Sequence, residues 1–156
     1  GHEATVHSIG NGVKTLLEQR TAPEFLSEDR IDATLEEILR FDPPLHLFTR
    51  WAYEDIELQG ETIRAGSQIG LLLAGANRDP DTWDTPNAFD PKRPIKTNFS
   101  FGAGAHFCIG APLARLEMRI ALPILFQRLP AMAFARPALY GDLYHFHGLE
   151  ALDLRY

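Results

Sequence analysis

Apolar residues recur at helical spacing in three stretches of the chain. Val6, Ile9, Val13, Leu16 and Leu17 predict a helix over residues 1–20, which Gly10 and Gly12 weaken without stopping. Ile31, Leu35, Ile38 and Leu39 predict a second over 27–41, with Ser27 as N-cap and Pro43-Pro44 as its stop. Leu113, Leu116, Ile120, Leu122 and Leu125 predict a third over 111–129, with Pro112 in its first turn and Pro123 bending it. Arg115 and Arg119 mark its polar side.

Between the second and third helices the period shortens. Residues 45–73 read as short strands, with a hairpin turn at Gln59-Gly60-Glu61 between Ile56–Leu58 and Thr62-Ile63. Residues 74–79 read as a short helix ended by Pro80. Residues 81–97, rich in Pro, Asp, Asn and Thr, read as a long loop. Such a loop in a compact domain needs a functional or packing reason. Leu143, His145 to His147 and Leu152 to Leu154 read as terminal strands, in which the two histidines are ordinary strand residues. The fold class expected is mainly α with small β-sheets.

Composition narrows the function classes. A length of 156 residues suits one domain. A net charge of −6 implies no nucleic-acid partner. No apolar run reaches the ~18 residues of a membrane span, so no membrane partner is expected. Nothing at the start reads as a signal peptide. The single cysteine, Cys108, excludes an internal disulfide and suits a reducing, cytoplasmic setting.

That cysteine is where the candidate chemistry concentrates. Taken alone, a lone cysteine is a small buried hydrophobe. Here Gly102 and Gly104 precede it, Gly110 follows it, and the predicted third helix starts directly after. Free N–H groups at a helix start favour a thiolate. Competing signatures fail. A dinucleotide fingerprint would need glycine at Phe107, a phosphatase-type loop would need arginine at Ala114, and paired-cysteine metal sites need a second cysteine. His2, Glu3 and His7 miss the spacing of a zinc-protease helix by one residue.

Phe101, Gly102, Gly104, His106, Cys108 and Gly110 form Phe-Gly-x-Gly-x-His-x-Cys-x-Gly. This resembles the haem-binding loop of the cytochrome P-450 family, the haem-thiolate monooxygenases. Other stretches resemble the same family in the same order. Glu37-x-x-Arg40 looks like its Glu-x-x-Arg motif, and Phe89-Asp90-Pro91-Lys92-Arg93 supplies the arginine that completes that motif's network. Gly1, Glu3 and Thr5 match its central helix; Ala4 departs from it, standing where the family usually has a threonine.

The resemblance implies haem b (iron protoporphyrin IX) with Cys108 as axial ligand. Phe101, Gly102 and Gly110 would lie around the haem, and His106 and Arg50 would hold its propionates. Glu3 and Thr5 would border the oxygen site, while Leu45, Leu47 and Phe48 would line the substrate pocket. Glu37, Arg40 and Arg93 would form a buried structural network. Partners would be a small-molecule substrate, dioxygen and an external ferredoxin-like redox protein, the last meeting a basic patch of Lys92, Arg115 and Arg119. Residues 1–156 would be the C-terminal portion of the domain, from the end of the central helix onward. Alternatives are a peroxide-using haem-thiolate enzyme, suggested by Ala4, and a truncated chain without activity of its own.

Overall fold

The computed structural model describes residues 2–156. Helices α1 (His2–Glu18), α2 (Ile31–Phe41) and α4 (Ala111–Arg128) pack against one another. Their shared core contains Val13, Leu16, Leu35, Ile38, Leu39, Met118 and Leu122, each almost fully enclosed. A short helix, α3 (Leu73–Ala76), follows the strand at Gln68–Leu72.

Among the described residues, strands pair as four two-stranded antiparallel sheets. β1 (Leu47–Trp51) pairs with β4 (Gln68–Leu72), and β2 (Ile56–Leu58) with β3 (Glu61–Ile63). β5 (Ala133–Phe134) pairs with β8 (Leu154–Arg155), and β6 (Leu139–Tyr140) with β7 (Leu149–Ala151). The mainly helical chain with small sheets is the class that the periodicities predict.

Four local expectations differ from the structure. Ser27 ends a 3₁₀ turn (Pro23–Leu26) instead of capping α2, which starts at Ile31 without a side-chain cap. Thr34 contributes there, donating its hydroxyl to the Phe25 carbonyl at 2.7 Å. The short helix runs from Leu73 to Ala76, with Asn77 as its C-cap, and so starts and ends before the predicted 74–79. Residues 143–147 form no strand; only Phe146 bridges, to Leu45, and Leu152 falls between β7 and β8.

The fourth difference concerns α4. Leu122 is fully buried, but Leu113, Leu116 and Ile120 are more than half exposed, at 59%, 52% and 53%. At 3.6 residues per turn they lie with Ile124 on the side opposite Ala111, Met118 and Leu122. The helix is apolar on two faces, and periodicity alone cannot say which one the core takes. Val6 of α1, 53% exposed, lies on the same open side. Val6, Ile9, Leu113 and Ile120 line a groove of about 750 Å³ between the two helices.

Candidate functional site: a thiol at the mouth of an apolar slot

The loop from Phe99 to Gly110 is shaped by its own backbone. Gly102 and Gly104 take φ of +71° and +65°, the left-handed region where a side chain would be strained. The Gly102 N–H donates to Phe99 O at 2.9 Å and the Cys108 N–H to Phe101 O at 3.0 Å. Residues 104–106 form a 3₁₀ turn, and Gly110 is the N-cap of α4. The loop ends with Cys108 exposed beside a fully exposed Ile109 and a half-exposed Phe107.

Side chains distant in sequence hold this loop against α2. Asn77 is fully buried and works with both ends of its amide. Its Oδ1 accepts the Phe99 N–H at 2.7 Å, and its Nδ2 donates to Ser100 Oγ at 2.8 Å. Ser100 Oγ donates in turn to Leu39 O at 2.6 Å. Asn98 donates to Glu36, which also receives the Arg115 guanidinium. That guanidinium lies 4.5 Å from the centre of the Phe101 ring. Sequence reasoning missed Glu36, Asn77 and Ser100. The one available signal was the Pro-terminated Asn77-Arg78-Asp79 stretch.

The loop faces α1 across a cavity of about 520 Å³. Ala4, Thr5 and Ser8 form one wall, and Phe101, His106, Cys108 and Gly110 the opposite one. Pro44, Leu45 and Phe48 close a third side. Ser8 is buried and donates to the Ala4 carbonyl at 2.8 Å. Glu3, Leu47, Arg50 and Gly102 lie outside this lining. Glu3 is exposed, and Leu47 pairs with Leu72. Arg50 is exposed, donating to its neighbour's carbonyl, Thr49 O, and lying 5.7 Å from the Phe48 ring. Gly1, matched to the central helix, lies outside the described residues.

Glu37, Arg40 and Arg93 come together against residues 84–90 of the long loop. Arg40 is 1% exposed and Glu37 3%. Two guanidinium nitrogens of Arg40 reach the two Glu37 oxygens, both at 2.7 Å. Its remaining N–H groups donate to the carbonyls of Asn77, Pro86 and Ala88, so all five donors are used. Arg93 Nε donates to Glu37 Oε2 at 3.2 Å, and the Asp90 N–H to Oε1 at 2.9 Å. Of the basic patch, Arg115 pairs with Glu36 and Arg119 with Asp32, while the exposed Lys92 sits 5.9 Å from the Phe25 ring.

The family model described as "Cytochrome P450" matches residues 30–131, from the start of α2 past the end of α4. The chain belongs to the cytochrome P450 family. A biotin biosynthesis cytochrome P450 of Bacillus subtilis is 42% identical over 162 residues, spanning 100% of this chain and 40% of that protein. The cytochrome P450 monooxygenase PikC of Streptomyces venezuelae is 40% identical, across 100% of this chain and 39% of its own length. The crystal structure of P450BioI with a hexadec-9Z-enoic acid-ligated acyl carrier protein superposes with a TM-score of 0.94 and 41% identity. It covers 99% of this chain and 41% of its own. CYP109E1 of Bacillus megaterium with corticosterone also gives 0.94, at 31% identity, over 99% of this chain and 43% of its own. This P450 chain therefore spans about 40% of the length of the relatives it matches.

P450 proteins carry a haem with a thiolate ligand. The cavity's donor set fits such a group. Its lining holds one thiol, one imidazole, apolar side chains from opposite walls and no carboxylate. Among the described residues, no helix is long and apolar enough to cross a membrane.

Proposed function

We propose that residues 1–156 are the C-terminal portion of a haem-thiolate monooxygenase that hydroxylates a small, largely apolar organic substrate. The observation that carries this reading is an exposed Cys108 thiol at the mouth of an apolar slot walled by α1. Cys108 would be the axial ligand of haem b, which when bound supplies oxygen activation. Backbone N–H groups around Gly110, at the start of α4, would hydrogen-bond the sulfur and favour its thiolate. Phe101 would pack against the haem, with Gly102 giving the loop its turn. His106 from the cavity wall, and Arg50 from β1, would hold the propionates by charge-assisted hydrogen bonds. Leu45 and Phe48, with Leu47 behind them, would form the substrate wall.

Glu3 and Thr5 would organise water for proton delivery from the α1 side. The Glu37–Arg40–Arg93 network would be structural, fixing the segment that leads into the loop. Dioxygen and an external, ferredoxin-like electron donor would be the other reactants. The exposed Val6–Leu113–Ile120 face suits cover by further chain of a longer protein. An apolar substrate agrees with the fatty acyl chain and the steroid held by the two relatives above.

A ferrous–CO difference spectrum tests the assignment. The wild-type protein should give the thiolate-type Soret band and Cys108→Ser should lose it. A mutant that kept the band would remove Cys108 as the ligand.

Ala4 favours a second reading, peroxide use. Its methyl group faces the cavity and can neither donate nor accept a hydrogen bond. In the intact enzyme, Ala4→Thr is expected to raise the product formed per reduced cofactor consumed, most for substrates without a hydroxyl of their own. Turnover supported by peroxide alone, with no gain from Ala4→Thr, would favour the second reading.

A further inference from the structure

A second polar cluster lies beside the cavity, built from residues far apart in sequence. The His147 ring is sandwiched between two others. It stacks on Tyr140 and on His46, each with ring centres 4.0 Å apart and planes within 19° and 22° of parallel. Its Nε2 lies 3.1 Å from Oδ1 of the buried Asp42. Tyr140 donates its hydroxyl to Asp42 Oδ2 at 2.7 Å, and Thr15 and the Lys14 ammonium approach the same oxygen at 3.5 Å.

The His147 backbone is fixed as firmly as its ring. Its N–H donates to Pro44 O at 2.7 Å, and its carbonyl accepts from Asn11 Nδ2 at 2.8 Å. Next to it, Phe146 bridges to Leu45. Pro44, Leu45 and Phe48 are cavity wall. One residue near the C-terminus therefore grips the segment that lines the slot, at its backbone and through the His46 ring.

Asp42, His46 and His147 place ligand atoms within 4.8 Å of one another. Two features speak for a proton site over a cation site. The Lys14 ammonium already faces the carboxylate. The near-parallel stack also keeps the in-plane lone pairs of the two imidazoles in separate planes, away from a common point.

We propose that His147 is a positioning residue for the 44–48 wall, and that placing a charge on both stacked imidazoles, His46 and His147, releases this wall. One added charge faces Asp42 and is tolerated. A second places two like charges face to face at the stacking distance. The surrounding charges agree. Burial and then the His147 charge push the His46 imidazole below its ordinary range, with Arg78 adding to them and Asp42 opposing. At Asp42 burial acts upward, but hydrogen bonds from His147 and Tyr140 and the charges of Lys14 and His147 outweigh it and keep the carboxylate ionised. Lys14 is itself paired with Glu18 at 2.9 Å.

The importance of this wall rests on the substrate reading above; its movement does not. The test is therefore a titration without haem, so that failure of haem uptake and failure of this inference remain distinct. Imidazole signals of His46 and His147, and methyl signals of Leu45 and Leu47, are followed by NMR in the labelled chain from pH 8 to pH 5. The Leu45 methyls should move in step with His46. This movement should be lost in His147→Gln, which has no second charge to give, and in His46→Phe, which keeps a stacked ring without a charge. If His147→Gln fails to fold by circular dichroism, His46→Phe alone carries the comparison. Leu45 methyls that stay fixed while the imidazoles titrate, or that move equally in His46→Phe, overturn the proposal.

Discussion

Two sides of the helical core treat polarity in opposite ways. On one, α2 buries a glutamate and an arginine almost completely. On the other, α1 and α4 leave Val6, Leu113, Leu116, Ile120 and Ile124 in the open. Hydrophobicity alone would reverse this arrangement. The charged side is stable because every guanidinium donor of Arg40 finds an acceptor and both Glu37 oxygens are met. The apolar side is open because α4 has two apolar faces and the core of this chain covers just one.

The contrast is broken most severely at Glu37. Glu37→Ala leaves Arg40 buried without its counter-charge, at an expected cost of about 3–5 kcal/mol. Chemical denaturation should show loss of folded protein; unchanged stability with full haem content would refute a structural role.

The two faces of α4 sharpen the comparison within one helix. Leu122→Ala opens a cavity in the shared core and should cost about 2–5 kcal/mol. Leu113→Ala, one helix face away, should stay within about 0.5 kcal/mol in this chain. Equal effects in paired urea melts would mean that the open face is covered.

The smallest effect is electrostatic and lies at the edge of the charged side. His46 is held below its ordinary value of 6.5 in the folded chain, so the unfolded chain takes up its proton first. Stability should therefore fall as the pH drops below about 6.5, and level off once the folded form also protonates. Asp42 acts in the same direction at lower pH: its stabilisation is present above its unfolded value of 3.8 and is lost as the pH falls through the depressed folded value. Thermal melts from pH 7.5 to 5.5 should show the His46 part, and His46→Phe should flatten the curve. A wild-type melting temperature independent of pH over this range would contradict the assignment.

What could be read in advance follows from how local each signal is. The buried stripe of α2 was legible because its four apolar residues share one face and no other face competes. The loop around Cys108 was legible because its glycines and cysteine lie within one short run. The open side of α4 was not, because helical periodicity reports apolar faces without naming the partner that covers them. Nor was the support given by Glu36, Asn77 and Ser100, whose partners stand tens of residues away. His147 read as an ordinary strand histidine for the same reason. Its ring partner His46 lies in another segment, and no local pattern announces a stack.

Arg40 reaches the long loop through the carbonyls of Pro86 and Ala88, and the end of α3 through that of Asn77, while Arg93, within the loop, donates back to the carbonyl of Asp84. A contact made to the main chain is blind to the side chain that the residue carries. The loop's shape is thus recorded partly in Arg40 outside it and Arg93 within it, and the side chains at 84, 86 and 88 take no part in these contacts. Point substitutions at exposed loop positions such as Ala88, which contributes only its carbonyl, can accumulate with little effect. A single inserted or deleted residue between 77 and 88 shifts the carbonyls out of reach. The tolerance of this segment is for spelling and not for length.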